Sequence, residues 1–448
     1  MTEQTTTGGF VEEIEGLSLT HCNTNPLWAK TIAIGTLSPF IQKIWYETWR
    51  GKVSPHIFGL CIGPSGLAEK SLPLETIIRP ILRNIDKMLG DKNEDDEDEK
   101  YVPTASFIVP YNPNSSMQAL TTWASKNKRG LLAVDEFSSI LKVAKKDGYL
   151  GEILEYLSRL YDGDVGKNAT QIRGEEAGDK LCISFLTTTT PYIYEIMRAG
   201  FFVQGTGNRF CIVNWDASNI NEIRVPEAEK YIPDLAGFDV TREEKCQQIA
   251  DSLFKFHSFL ESRETVTTQM NQKAKKLLRD KIYKMKNEAL QKFKGYKLGL
   301  DYSYLDRLEI QINKIVLNLT GSKLYGQFIR AELRNEEHLV VAIDEEIVNE
   351  ACDLVDLYYK NFEAMVLDWE TTTVRRQTVV YSTKNLSDLC IQYCKDNRNE
   401  EGWVNRRQML KDLNITVQDF AKIQTTYFEQ ENQRKSGGKA SWWVKLLE

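Results

Sequence analysis

Apolar residues recur along this chain in two rhythms. Between residues 57 and 213 they gather in short unbroken runs: 57–62 (IFGLCI), 105–109, 131–134, 181–186 and 209–213. Runs of that length, apolar throughout and bounded by turn residues, predict strands buried on both faces. Helical spacing separates them at 72–89 (despite Pro73 and Pro80), 117–126, 151–160 and 192–199. Strands alternating with helices predict an α/β domain with a mainly parallel sheet. Upstream, Leu27, Ile32, Ile34, Leu37, Ile41, Ile44, Trp45 and Trp49 stand at helical spacing within 26–50, and residues 1–25 read as a flexible lead. From 241 to 362 the pattern is helical almost throughout, and no internal repeat is present.

The last segment has its own rhythm, that of a winged helix. Residues 386–395 predict a first helix, 403–410 open a second, and Thr416 is an N-cap candidate for a third over 417–428. A hairpin follows with Gly437 and Gly438 at its tip, and Trp442 or Trp443 alternates into the core. Arg434, Lys435 and Lys439 on that wing would meet phosphates. The third helix carries only Lys422, so reading of base edges in the major groove is not expected. Contact with a protein partner is the alternative use of such a module. The whole pattern divides the chain into a lead (1–25), an α/β core (26–240), a helical lid domain (241–370) and a winged-helix domain (371–448).

With 448 residues, 42% apolar and 27% charged, the chain has the balance of a globular protein. No stretch reaches the roughly 20 apolar residues of a membrane span. The polar, acidic N-terminus resembles neither a signal nor a transit peptide, so a cytoplasmic location is expected by elimination. The eight cysteines form no CxxC pair and read as reduced small hydrophobes, and the four histidines stand apart from them, so no zinc site is expected. The net charge of −6 conceals a strong asymmetry. Residues 91–100 carry seven acids and two lysines, and read as a surface loop. Residues 263–297 carry eleven basic and three acidic side chains, and 375–448 carry thirteen and nine. Within 273–297 an apolar stripe (Ala274, Leu277, Leu278, Ile282, Met285, Ala289, Phe293) opposes a basic face. Such a face is usually just solvated. DNA contact is the functional alternative.

Candidate chemistry starts at GPSGLAEKS (63–71), which follows an apolar strand and opens a helix. Backbone N–H groups of Gly63, Ser65 and Gly66 in that setting can point at phosphate oxygens. Lys70 would neutralise the β/γ-phosphates of ATP and Ser71 would hold Mg²⁺. Glu69 stands where a phosphate loop of the standard kind has glycine, and one extra residue separates Gly63 from Lys70, so the carboxylate must point away. An ordinary Gly-Pro-Ser-Gly turn is the alternative. LLAVDE (131–136) is a strand ending in two acids, a costly arrangement without a cation or basic partners. Asp135 would bind the Mg²⁺ water shell and Glu136 would polarise the attacking water, unless the pair simply caps the next helix. One of Thr187–Thr190, with Thr188 carried forward, can orient that water from a strand lying between the other two. Arg209, in GTGNRF (205–210), can serve a neighbour's γ-phosphate or form a local salt bridge.

Together GPSGLAEKS, LLAVDE, FLTTTTP, GNRF and the helical segments YLDRLEIQINKIVLNL and VAIDEEIVNEACDLVDLYY resemble AAA+ ATPases over about residues 26–370. The resemblance is to archaeal and plasmid-borne relatives of the minichromosome maintenance (MCM) replicative helicases, and to plasmid and viral primase-helicase proteins. It implies a P-loop core with a helical lid, assembled as a homo-oligomer, a hexameric ring. It also implies that Arg209 acts across a subunit interface and that Arg307 is a second nucleotide-sensing arginine, whose alternative is a surface partner of Asp306 or Glu309. In that family a hairpin before the Thr-tipped strand grips DNA in the pore. The matching stretch is 162–180, with Lys167, Arg173 and Lys180, and its alternative is a surface loop. The family's large N-terminal DNA-binding domain has no counterpart, since about 55 residues precede the first core strand.

The expected activity is therefore ATP-dependent movement on DNA in replication of an archaeal replicon or mobile element, in company with other replication proteins. The alternatives are a DNA-binding adaptor with a degenerate nucleotide site, and a transposition or partition ATPase that remodels a partner.

Overall fold

The computed structural model describes residues 9–48, 51–64, 68–90, 127–146, 150–163, 181–197, 201, 205–215, 235–293, 300–333, 336–378, 383–399, 401–413, 420–421, 424, 427–433 and 441–446. The chain divides into two compact units, Met1–Trp369 and Glu370–Glu448.

In the first unit, helices α1 (Phe10–His21) and α2 (Pro26–Leu37) precede a hairpin of β1 (Tyr46–Thr48) and β2 (Gly51–Val53). Strand β3 (Phe58–Ile62) leads through the loop to α3 (Arg79–Gly90), and β4 (Arg129–Val134) to α4 (Phe137–Lys146) and α5 (Leu150–Tyr161). Strand β5 (Cys182–Thr189), the short α6 (Ile193–Ile196) and β6 (Phe210–Asn214) complete the α/β part. Long helices α7 (Leu235–Glu261), α8 (Gln272–Phe293), α9 (Leu300–Ile329) and α10 (Glu345–Thr378) follow, with β7 (Thr265–Met270) before α8 and β8 (His338–Ile343) before α10.

Four of the five apolar runs pair as expected. Four strands form one parallel sheet in the order β4-β5-β3-β6. Because the strands are parallel, all their C-terminal ends lie along one edge, the edge at which α/β sheets bind ligands. The sheet's central residues are sealed by aromatic pairs. Phe58, Phe137, Phe185 and Phe210 are fully buried, with ring centroids 5.5 Å apart for Phe58–Phe185 and 5.6 Å for Phe137–Phe210. Helix α2 lies close on the sheet. A Cβ on Gly59 would come within 2.8 Å of Thr31 Cγ2 and 2.9 Å of Leu186 Cδ2, so only glycine permits this approach.

Several expectations are corrected. Residues 10–21, read as part of a flexible lead, form α1, with Phe10, Val11 and Ile14 fully buried. Docking against α9 drives this, with Phe10 edge-on to Tyr325 at 5.4 Å and Val11 N–H donating to Ser322 Oγ at 2.9 Å. The helical spacing of 26–50 breaks at a 3₁₀ turn, Ser38–Ile41, where Pro39 stands, and gives way to β1. The stretch 241–362 is not helical throughout. Strands β7 and β8 pair in parallel, and Val266, Leu339, Val341 and Ile343 alternate inward. The helix expected over 72–89 includes a π turn, Leu74–Ile78, closed by Arg79 N–H to Leu74 O. Pro80 supplies no N–H and crowds the carbonyl four residues back, and the wider turn ahead of it accommodates both. The expected strand 105–109, helix 117–126 and acidic loop 91–100 lie outside the described residues. All eight cysteines are buried and unbridged.

In the second unit, α11 (Thr383–Asn397), β9 (Val404–Asn405) and α12 (Arg406–Asp412) precede β10 (Phe428–Gln433) and β11 (Ser441–Leu446). The strands form an antiparallel sheet in the order β10-β11-β9. Residues 404–405, read as the opening of the second helix, are thus a short strand, and Phe428, read as the end of the third helix, begins β10. The core comprises Cys390, Cys394, Val404, Met409, Phe420, Phe428 and Val444. On β11 Val444 is fully buried and Trp443 is half-buried, and the side chain of Trp442, the other expected core residue, lies outside the described residues. The expected wing residues Arg434, Lys435 and Lys439 lie outside the described residues.

Candidate functional site

The threonine-bearing strand does lie between the strand that precedes GPSGLAEKS and the acid-tipped strand: β5 pairs with β3 on one side and with β4 on the other. Its tip reaches both neighbours. Thr188 Oγ1 donates to Asp135 Oδ1, and Thr189 Oγ1 donates to Glu136 Oε1 at 2.9 Å. Ser138 also donates to Glu136 Oε1. Residues 187–189, three of the four threonines, extend β5. Two of those three also hold the acids. Thr187 Oγ1 is buried with no hydrogen-bond partner among the described residues.

Glu136 is held in left-handed backbone, with φ 62°. A non-glycine residue there costs about 1–2 kcal/mol, and such outliers persist where surrounding bonds over-determine them. Here the two hydroxyl donors and the start of α4 fix the residue, with Ser139 N–H donating to Glu136 O at 2.9 Å.

On β3 the backbone continues the ladder past the strand, with Gly63 N–H donating to Thr189 O at 3.1 Å. A Cβ on Gly63 would stand 3.2 Å from Lys70 Cδ, so the lysine stem lies directly on this glycine. Lys70 is 8% exposed. Its Nζ donates to Pro64 O at 3.3 Å, and its positive charge partly offsets the burial that raises the neighbouring Cys61 thiol. Its carbonyl accepts from Trp28 Nε1 at 2.8 Å. Trp28 is fully buried in α2, whose start is fixed by Asn25 Oδ1 accepting from the N–H groups of Leu27 (2.9 Å) and Trp28 (3.3 Å).

Glu69, which stands where glycine was expected, is held by a backbone donor. Its Oε2 accepts from Asn23 N–H at 2.6 Å, so the carboxylate is anchored to the segment between α1 and α2. Ser71 begins the following helix, its carbonyl accepting from Glu75 N–H at 3.0 Å. Ser65 and Gly66 lie outside the described residues.

Lys70, Gly63, Thr189 and Glu136 thus form a continuous run of contacts along the C-terminal edge of the sheet, with Asp135 beside it through Thr188. A buried ammonium, two strand-tip carboxylates and a helix start make a donor and acceptor set suited to a magnesium-bound triphosphate.

The two arginines are elsewhere. Arg209, 6% exposed, precedes β6 and so stands at the opposite, N-terminal edge. Its guanidinium donates to Asp162 Oδ2 at 2.8 Å and Gly205 O at 2.7 Å, which is the local salt bridge of the alternative reading. Arg307 on α9 reaches the other oxygen of the same carboxylate, Asp162 Oδ1, at 3.1 Å. Of the two expected partners, Glu309 pairs with Lys286 at 3.4 Å, and the side chain of Asp306 lies outside the described residues. Sequence reasoning missed Asp162, because a lone acid between a helix and a Gly-rich stretch gives no signal of its partners. The hairpin candidates Lys167, Arg173 and Lys180 lie outside the described residues.

Next to this clamp lies a buried lysine that the sequence did not flag. Lys314 Nζ donates to the carbonyls of His56 (2.9 Å) and Tyr161 (3.3 Å) and sits 4.2 Å from the Tyr161 ring centroid. Removal from water depresses its ammonium from 10.5 to about 7, against the pull of Cys182, Asp162 and Cys211. The folded state therefore binds fewer protons here than the unfolded chain between about pH 7 and 10.5, and this residue makes the fold more stable as pH rises through that window. Urea unfolding of wild type and Lys314→Met at pH 7.5 and 9 is expected to show wild type gaining about 2 kcal/mol on the variant over that interval. A pH-independent difference would mean that the lysine keeps its ordinary affinity for the proton.

His338, Glu264 and Glu337 also come together, with His338 Nε2 3.7 Å from Glu264 Oε2, but all three are exposed. Compared with known proteins, the chain matches no family model and no curated protein.

Proposed function

We propose that this chain is a Mg-ATP-hydrolysing motor that acts on DNA, with a P-loop core, a helical lid and a winged-helix tail. The carrying observation is the run of contacts at the sheet edge, in which Lys70 lies on Gly63, Gly63 bonds Thr189, and Thr189 bonds Glu136. Supporting it are the place of β5 between β3 and β4, and the anchoring of Glu69 away through Asn23. In this reading Lys70 neutralises the β/γ-phosphates, and Ser71 and Asp135 hold Mg²⁺. Glu136 takes the proton of the attacking water, and Thr189 with Thr188 fixes the two acids. Arg209 belongs to a neighbour's site in a hexameric ring only if Asp162 releases it. The tail, with its three-stranded antiparallel sheet and helices, would place the motor on DNA through its wing.

Titration calorimetry with Mg-ATP tests the reading. Wild type is expected to bind, and Lys70→Ala to bind at least about tenfold more weakly, the loss of one charge-assisted contact. No binding by wild type at millimolar nucleotide, with DNA affinity intact, would make the protein a DNA-binding adaptor instead.

A further inference from the structure

A cavity of about 900 Å³ opens between β7, α8, α9 and the turn into β1, on ground none of the nucleotide chemistry uses. One wall is a single face of α8, where Lys275, Arg279 and Tyr283 follow at four-residue spacing, about 6 Å per step. Arg279 and Tyr283 are strongly exposed, at 66% and 62%. Lys275 is exposed as well. Trp45, Thr267 and Thr268 also line the cavity, with Thr268 Oγ1 donating to Trp45 O at 2.8 Å. The acid among the lining residues, Glu309, is paired with Lys286 at the floor.

The same Trp45 and Thr267 also line a second cavity of about 640 Å³, whose rim carries Lys43, Lys52, Lys128 and Arg129 with Glu261 and Glu264. Lys52 Nζ lies 4.3 Å from the Trp45 ring centroid, and Arg129 pairs with Glu261 at 3.0 Å. The two cavities share one aromatic side chain, Trp45, and both are lined by cations; the first, a trench beside α8, has a second aromatic, Tyr283, in its lining. Helix α8 as a whole carries eight basic and two acidic residues. Lys281, Lys284 and Lys286 pair with Asp353, Glu288 and Glu309, and Arg279 lies 3.6 Å from Asp280, so part of this excess is offset within the chain, and the remainder is relieved by an anionic partner.

We infer that this trench binds a single strand of nucleic acid, with Lys275 and Arg279 on its phosphates and bases stacked on Tyr283 and Trp45. Aromatic faces accept any base, and cations at regular steps follow a backbone, the combination by which single strands are held without reading sequence. Duplex DNA keeps its bases stacked inside and gains only the charge contacts. The inference takes its biological sense from the proposed motor but stands on separate residues, far along the chain from 63–71 and 135–136.

Fluorescence anisotropy of labelled dT20, rU20 and a duplex, titrated with the full chain in the absence of nucleotide, tests it. Tyr283→Ala is expected to weaken dT20 binding about tenfold, the loss of one stacked base, and to leave duplex binding by the tail unchanged. Lys275→Ala/Arg279→Ala is expected to lower the slope of log K against log salt by about 1.4, two single-strand phosphates. Both sites are exposed, so unchanged thermal unfolding is expected and shows that each variant is folded. The ratio of dT20 to rU20 affinity assigns the strand to DNA or RNA. Unchanged dT20 affinity and salt slope in folded variants would overturn the inference. So would equal losses for single strand and duplex, which would mark a plain charged surface, or variant-sensitive binding of polyglutamate alone, which would mark an acidic protein partner. No nucleotide is present, so an inactive ATP site cannot produce any of these failures.

Discussion

Glu136→Gln is expected to slow ATP hydrolysis by about 10²–10⁴-fold while Mg-ATP still binds. The substitution keeps the size and hydrogen-bonding reach of the side chain, so the bonds from Thr189 and Ser138 retain an oxygen acceptor. It removes only the ability to accept a proton from water. Steady-state phosphate release and calorimetric binding, measured on the same preparation, separate the two effects. If turnover is unchanged, Glu136 is a helix-capping residue and the motor reading loses its base. If binding and turnover fall together, the site has collapsed, and Glu136→Asp then distinguishes a lost fold from a lost acid.

Trp28→Ala is expected to cost about 3–5 kcal/mol of stability, the usual penalty for emptying a fully buried aromatic site. Trp28 fills the space between α2 and the sheet, close to where a Cβ on Gly59 would fall, and its indole N–H is bonded to Lys70 O. Trp28→Phe divides the two contributions. It preserves most of the packing and leaves the buried Lys70 carbonyl without its donor, costing about 1–3 kcal/mol. Urea unfolding reads the stability of both variants, and Mg-ATP titration reads the loop. Weakened nucleotide binding in Trp28→Phe at a temperature where the protein is fully folded would show that this bond positions the lysine. Equal nucleotide affinity in wild type and Trp28→Phe would reduce Trp28 to a packing residue.

The parts of this structure that are local in sequence were legible there. Apolar runs of four to six residues identified the four sheet strands, and the acids and threonines at their ends were visible as breaks in those runs. Their convergence is a consequence of parallel pairing, which puts every strand end on one edge. What remained hidden depends on residues far apart. The β7–β8 pair joins positions 73 residues apart, as Thr265 and His338 do, and each strand alone is a short polar-apolar alternation between long helices. Helix α1 was obscured by the polar residues before it and by its acids, although Phe10, Val11, Ile14 and Leu17 fall on one face. The direction of Glu69 is set by Asn23, 46 residues upstream, so the local motif shows the misfit without its remedy. The joint capture of Arg209 and Arg307 by Asp162 spans 47 and 145 residues, which no spacing rule reaches.

The dihedral at Glu136 sets folding and chemistry against each other at one position. Glycine would relax that backbone and asparagine would tolerate it, so thermodynamic economy gives no reason for a longer acidic side chain there. A variant selected for heat resistance alone would be free to discard the carboxylate, and under the proposed function it would grow sturdier as it lost the base that activates water.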